Sequence, residues 1–135
     1  PDGQLKWESD LDGYLNYGIG ASASVDAEGT VYIASWENGG WDGGVYALDT
    51  ETGQVKWRFP TDSNIQSSMA LSSDGTLYVA TKDRMFYALN TEDGSERWHY
   101  ELDVVPGLDT LSPPSIGRDG SVYVYACDGI LRAIH

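Results

Sequence analysis

Short apolar runs separated by glycine- and aspartate-rich turns organise this chain, and no run repeats its apolar positions with helical spacing. Residues 30–34, 76–80 and 121–125 are β-branched and aromatic, the composition of a strand packed on a pleated surface. Each follows a Glu-Gly or Asp-Gly pair (Glu28-Gly29, Asp74-Gly75, Asp119-Gly120), a strong hairpin signal when flanked by apolar residues. Before each turn lies a small, uncharged run, at 21–25, 67–71 and 112–116. After each apolar strand, a variable loop leads to a further run at 44–49, 85–90 and 130–134. Thr-Glu-Thr-Gly or Thr-Glu-Asp-Gly then turns the chain into a fourth strand that carries a tryptophan. The predicted class is all-β.

The pattern is also a repeat. Gly29 recurs as Gly75 after 46 residues and as Gly120 after a further 45. Gly-Gln-Val-Lys-Trp at 53–57 aligns with Gly-Ser-Glu-Arg-Trp at 94–98 and with Gly-Gln-Leu-Lys-Trp at 3–7. Four-strand units of this length are the blades of β-propellers. Residues 1–135 are therefore expected to form one domain of three blades, with residues 1–9 as the outermost strand of a preceding blade. Little room remains near a propeller axis, which suits the small first strands, whereas outer strands accept Trp7, Trp57 and Trp98. Length varies only in loops. Tyr32 and Ala47 are 15 residues apart, against 10 in each later unit, and the excess lies in the glycine-rich stretch 36–44. Insertions at 11–20 and 103–111 fall beside the first strands, where loops usually shape a binding mouth.

Charge narrows the partners. Twenty-one acidic against eight basic residues give a formal net charge of −13 in 135 residues. Nucleic acid is excluded on this ground, because phosphate binding needs a Lys/Arg surface, and anionic membrane surfaces are disfavoured. No run approaches the ~20 apolar residues of a helical span, so no membrane insertion is expected. One cysteine, Cys127, rules out an internal disulfide and any multi-cysteine metal site, and its place beside an apolar strand predicts a buried, inert thiol.

Residues 47–57, Ala-Leu-Asp-Thr-Glu-Thr-Gly-Gln-Val-Lys-Trp, resemble the tryptophan-docking motif of the PQQ-like (quinoprotein dehydrogenase-type) β-propeller repeat family. Residues 88–98 match less fully, with Asn90 for the Asp and Asp93 for the Thr, while Ala88, Gly94 and Trp98 are kept. The resemblance covers essentially the whole chain. It implies a structural role for Ala47, Asp49, Thr52, Gly53, Trp57, Ala88, Gly94, Trp98 and Trp7: the tryptophan packs between blades and the Asp/Thr-Gly turn ties strand ends together. Such a motif argues for architecture and not for chemistry.

The family includes PQQ-dependent dehydrogenases, which hold the quinone near the axis and calcium beside it, and non-catalytic scaffolds. This chain has neither a Cys-Cys pair nor a Cys-x-x-Cys-His haem site. The sequence singles out no catalytic residues and no metal ligands, and no cofactor is expected; PQQ with calcium is the alternative for a dehydrogenase fragment. The expected function is a non-catalytic scaffold or binding module for a protein or glycan partner; an isolated or engineered repeat fragment without ligand is a further reading. Trp36 and Trp41 are the candidate ligand-binding pair, as an aromatic platform or as packing on a neighbouring blade. The repeated Asp-Gly turns fit left-handed turn geometry better than calcium binding, and Asp10, Asp12, Asp103 and Asp109 are the better-placed cation candidates. Neither His99 nor His135 has a Ser or Cys partner in a nucleophile motif.

Three blades do not close a ring. The chain is expected either to be a segment of a larger propeller or to associate head to tail, two copies giving six blades. An extracytoplasmic location follows from the resemblance alone.

Overall fold

In a computed structural model, residues 3–9, 11, 21–37, 42–103 and 112–135 are described. They form eleven strands in three antiparallel sheets, with no helix longer than a single turn. The first sheet runs β1 (Ser24–Val25), β2 (Thr30–Glu37), β3 (Asp42–Asp49), β4 (Val55–Thr61). The second runs β5 (Ala70–Leu71), β6 (Thr76–Ala80), β7 (Met85–Asn90), β8 (Glu96–Glu101). The third has β9 (Ser115–Ile116), β10 (Val122–Tyr125) and β11 (Leu131–Ile134). Every strand pairs with its sequence neighbour, so each sheet is an up-and-down meander.

Period-two alternation decides how the sheets stack. Tyr32, Ala34, Val45 and Ala47 of the first sheet share a buried cluster with Leu77, Val79 and Leu89 of the second. The opposite face of the second sheet carries Tyr78, Ala80, Phe86 and Ala88, which pack on Val122 and Val124 of the third. One interface therefore occurs twice with equivalent residues. Burying each large apolar side chain here contributes ~1.5–3 kcal/mol.

Three expectations need correction. The inner strands are two residues long, not five. Lateral bonds reach to the next sheet instead: the Ser22 amide, before β1, donates to Ser68 Oγ, and Ser24 Oγ, in β1 itself, donates to the Met69 carbonyl. The stretch 36–44 is not all loop, because β2 and β3 extend to pair Trp36 with Gly43 and Glu37 with Asp42. At Gly43 a Cβ would lie 2.6 Å from the Ser63 carbonyl oxygen, so only glycine lets the chain pass. Cys127 is exposed, not buried: the apolar strand ends at Tyr125, and Cys127 sits in the turn before β11.

A β-bulge interrupts the outer pair of each four-stranded sheet at the same place. Ala47 faces Trp57 but Leu48 faces Val55, leaving Lys56 as the extra residue. Ala88 faces Trp98 but Leu89 faces Glu96, leaving Arg97 as the extra residue.

Candidate functional site

The recurrent polar residues converge at the turns, and the hairpins set the geometry. Asp26 Oδ1 accepts from the Thr30 amide at 2.7 Å, and the Tyr32 hydroxyl donates to Asp26 Oδ2 at 2.6 Å. In the other two hairpins the acceptor sits at the position of Glu28: Asp74 and Asp119 accept from the amides of Thr76 and Ser121, two residues on. Gly29, Gly75 and Gly120 all have φ near +80°, where a side chain would be strained. Burial alone would raise the Asp26 carboxyl, but the Tyr32 phenol and the Thr30 donors hold it below its ordinary value of 3.8. Burial and the facing carboxylate push Tyr32 up to about 12.

The second kind of turn joins the third and fourth strands. Asp49 Oδ1 accepts from the Glu51 amide at 3.0 Å, the Thr52 amide at 2.8 Å and the Thr52 hydroxyl at 3.0 Å. These donors, the Thr52 amide foremost, depress the Asp49 carboxyl. In the second unit the work is divided. Asn90 Oδ1 accepts from the Glu92 amide, and Asp93 Oδ1 accepts from the amide and hydroxyl of Ser95.

Each of these two turns receives a tryptophan. The Trp57 indole lies against Gly94, where a Cβ would stand 2.5 Å from its Cε3 atom. Its Nε1 donates to the Thr91 carbonyl at 3.0 Å. The Trp7 indole lies against Gly53 in the same way, and its Nε1 donates to the Thr50 carbonyl at 2.8 Å. Trp57 also packs on Tyr32 with ring centroids 5.7 Å apart. Trp98 packs on Tyr78 and Phe86. Ala47 and Ala88 are fully buried opposite Trp57 and Trp98. Among the described residues, 4–9 form no strand.

Sequence reasoning passed over Thr50 and Thr91. Their amides and hydroxyls donate to the Gly29 and Gly75 carbonyls, and their own carbonyls take the indoles. The signal was available, since Thr-Glu follows Ala-Leu-Asp at 50–51 and Ala-Leu-Asn at 91–92. The bulge residues join the same network: Lys56 Nζ donates to Thr30 Oγ1 at 2.7 Å, and Arg97 Nη1 to Thr76 Oγ1 at 2.9 Å.

A groove of about 830 Å³ opens between the hairpin ends of the first two sheets. Val25 and Leu71 supply apolar lips, Lys56 lines it, and Asp26, Glu28 and Glu92 add carboxylates. The backbone of Trp36 lies in β2; its side chain, and all of Trp41, Asp10, Asp12 and Asp109, fall outside the described residues. The Asp103 carbonyl accepts from Arg132 Nη2 at 2.7 Å. His99 is exposed on β8, with Nδ1 2.7 Å from Glu96 Oε1, and His135 Nδ1 lies 3.3 Å from Ser121 Oγ. Among the described residues no three His, Cys, Asp or Glu side chains converge as metal ligands, and no helix is long and apolar enough to cross a membrane.

Solved structures with this arrangement are propellers. BamB from Moraxella catarrhalis matches at 22% identity with a TM-score of 0.66, over 86% of this chain and 34% of that one. The WD40 β-propeller domain of Doa1 matches at 19% with a TM-score of 0.67, over 83% and 35%. A europium-containing methanol dehydrogenase matches at 16% with a TM-score of 0.62, over 77% and 23%. The chain thus spans about a third of the length of the first two structures, and its three sheets are a β-propeller segment. No curated protein matches it significantly. The family model described as outer membrane protein assembly factor BamB matches residues 1–135, and the chain belongs to this PQQ-like repeat family.

Proposed function

We propose that the chain is a non-catalytic propeller scaffold that binds a protein partner outside the cytoplasm. One observation carries the reading: the recurrent polar residues are engaged by the fold. Asp26, Asp49, Asp74, Asp93 and Asp119 all accept hydrogen bonds within their own turns. The indoles of Trp7 and Trp57 tie one repeat to the next, which is the structural role proposed for the whole motif from Ala47 to Trp57 and from Ala88 to Trp98. The family description, an outer membrane assembly factor, supports both a protein partner and an extracytoplasmic site.

The groove is the proposed contact surface. Its apolar lips and carboxylates suit an extended segment bearing a basic residue beside an aliphatic one. The test is titration with a labelled Lys- and Leu-containing peptide. Saturable binding, weakened at least fivefold by Glu28→Gln with Glu92→Gln, is expected; binding indifferent to both changes overturns the groove as the surface.

The likeness to a methanol dehydrogenase favours a second reading, a dehydrogenase fragment. Titration with PQQ and calcium separates the two. The scaffold reading requires no stoichiometric change in visible absorbance, and such a change would replace it. For a glycan partner, a glycan array with Trp36→Ala and Trp41→Ala is the corresponding test.

A further inference from the structure

Three basic residues stand one place before the recurrent tryptophans, and they are engaged differently. Lys6 Nζ pairs with Glu51 Oε1 at 2.7 Å and donates to the Thr50 carbonyl at 3.1 Å. Arg97 donates to Thr76 Oγ1 at 2.9 Å and to the Gly75 carbonyl at 3.2 Å. Lys56 Nζ has one hydrogen-bond partner among the described residues, Thr30 Oγ1 at 2.7 Å, and no described carboxylate within ion-pairing distance. An ammonium has three donors, so two remain for an occupant of the groove. Asp26, the carboxylate beside Thr30, is already taken by the Thr30 amide and the Tyr32 hydroxyl. The other charged residues lining the groove, Asp26, Glu28 and Glu92, are all carboxylates.

The groove lies between the two four-stranded sheets, and its lining runs from Val25 to Glu92, well inside the chain. Val25 and Leu71 end the inner strands β1 and β5. Thr30, which holds the ammonium, begins β2, one strand spacing of ~4.8 Å outward. Glu92 lies in the turn from β7 to β8, further out again. Side chains on one face of an extended segment recur at every second residue, ~6.5 Å apart. An occupant that crosses the groove with an aliphatic residue between Val25 and Leu71 therefore brings the residue two positions on to Lys56. The side chain two positions beyond that one approaches Glu92.

We propose that Lys56 is a specificity-determining residue of the groove and takes a carboxylate of the protein partner. The recognised segment then carries an acidic residue two positions from its aliphatic one, with the basic residue two positions further on. This inference rests on the groove being the contact surface, and it adds an acidic residue to the basic and aliphatic ones. The sign of the charge makes it specific. With a net charge of −13 and three carboxylates lining the groove, the field of the chain opposes every carboxylate brought there. A preference for an acid at one position has to come from a local cation, and among the lining residues that cation is Lys56. Covering the pair with a bound segment removes water from around it, which strengthens the attraction over that of an exposed ion pair.

The test titrates the chain with the end-blocked, labelled peptide Gly-Leu-Ala-Asp-Ala-Lys-Gly and with its Asn-for-Asp counterpart, at ~0.15 M salt. Both chain directions are made, and the tighter-binding direction is used. The Asp peptide should bind at least ~threefold more tightly than the Asn peptide. Lys56→Met should abolish that difference while binding the Asn peptide no more weakly than the unmodified protein does. Equal affinity for the two peptides, with both still weakened by Glu28→Gln and Glu92→Gln, overturns the role of Lys56 and leaves the groove as the surface. A preference for Asp that survives Lys56→Met overturns it too. Failure of both peptides to bind overturns the groove reading itself, and this inference with it. The comparison of Asp with Asn on the unmodified protein needs no variant, so it decides the question even if Lys56→Met does not fold.

Discussion

Replacing Gly94 with alanine isolates the contact between an indole and the next repeat. Gly94 has φ +73°, and a Cβ there would lie 2.5, 2.7 and 3.1 Å from Cε3, Cδ2 and Cζ3 of Trp57. Gly120 is the control, because it has φ +84° with nothing within 4 Å of its Cβ position. A left-handed alanine costs ~1–2 kcal/mol, offset by ~0.4–1 kcal/mol from the lower entropy of the unfolded chain. Gly120→Ala should therefore destabilise by about 1 kcal/mol. At Gly94 the ring must also move. That loses the Nε1 bond to Thr91, worth about 1 kcal/mol, and part of the packing on Tyr32, worth ~0.5–1.5 kcal/mol beyond area. Gly94→Ala should cost about 3 kcal/mol in all. Urea unfolding followed by circular dichroism reads both values. A second step adds Trp57→Leu: with the indole gone, the extra cost of Gly94→Ala should fall to that of Gly120→Ala, a coupling of ~2 kcal/mol. Equal costs for Gly94→Ala and Gly120→Ala in the unmodified background, within about 0.5 kcal/mol, would refute the argument.

Two further outcomes follow from the turns. The Asp49 carboxyl is depressed in the fold, so its contribution is present above the ordinary value of 3.8 and lost as pH falls through the lower folded value. Asp49→Asn keeps the acceptor, as Asn90 does, and should flatten the acid side of the stability curve below about pH 4, checked by urea midpoints from pH 2 to 7. Cys127 is exposed, so in the native protein it should react with a disulfide reagent within about tenfold of the rate of a small free thiol. Reaction only after unfolding would contradict its position.

The meander was legible because each strand is local and bounded by turn chemistry. Residues 76–80 and 85–90 pair at the ends their composition marks. The inner strands were overestimated because Ser22, Ser68 and Met69 are as compatible with a strand as with the lateral bonds they make, Ser22 to Ser68 and Met69 to Ser24. The hairpin extension was hidden by its glycines, which read as loop although Gly43 and Gly44 pair with Trp36 and Ser35. Thr50 and Thr91 escaped notice because they act through carbonyl oxygens, which every residue has, while sequence reading weighs side chains. The groove was invisible for a related reason, being made where two repeats meet.

The bulge at Lys56 sets a rule for tolerated length changes. Val55 and Trp57 are two apart, yet one faces Leu48 and the other Ala47, on opposite sides of the sheet. The extra residue is thus a half-period phase shift, and the positions after it depend on that offset. Deleting Lys56 alone would leave Ala47 opposite Trp57 and Leu48 opposite Val55, straightening the ladder and removing the bond from Lys56 to Thr30 Oγ1. A one-residue insertion between Gly53 and Trp57, or between Gly94 and Trp98, would instead enlarge the bulge or slip the fourth strand by one residue and turn its aromatic positions away from the next sheet. Viable length variants of this repeat should carry their gaps in the loops after the second and fourth strands and keep the glycine-to-tryptophan interval at four, as it is from Gly3 to Trp7, from Gly53 to Trp57 and from Gly94 to Trp98.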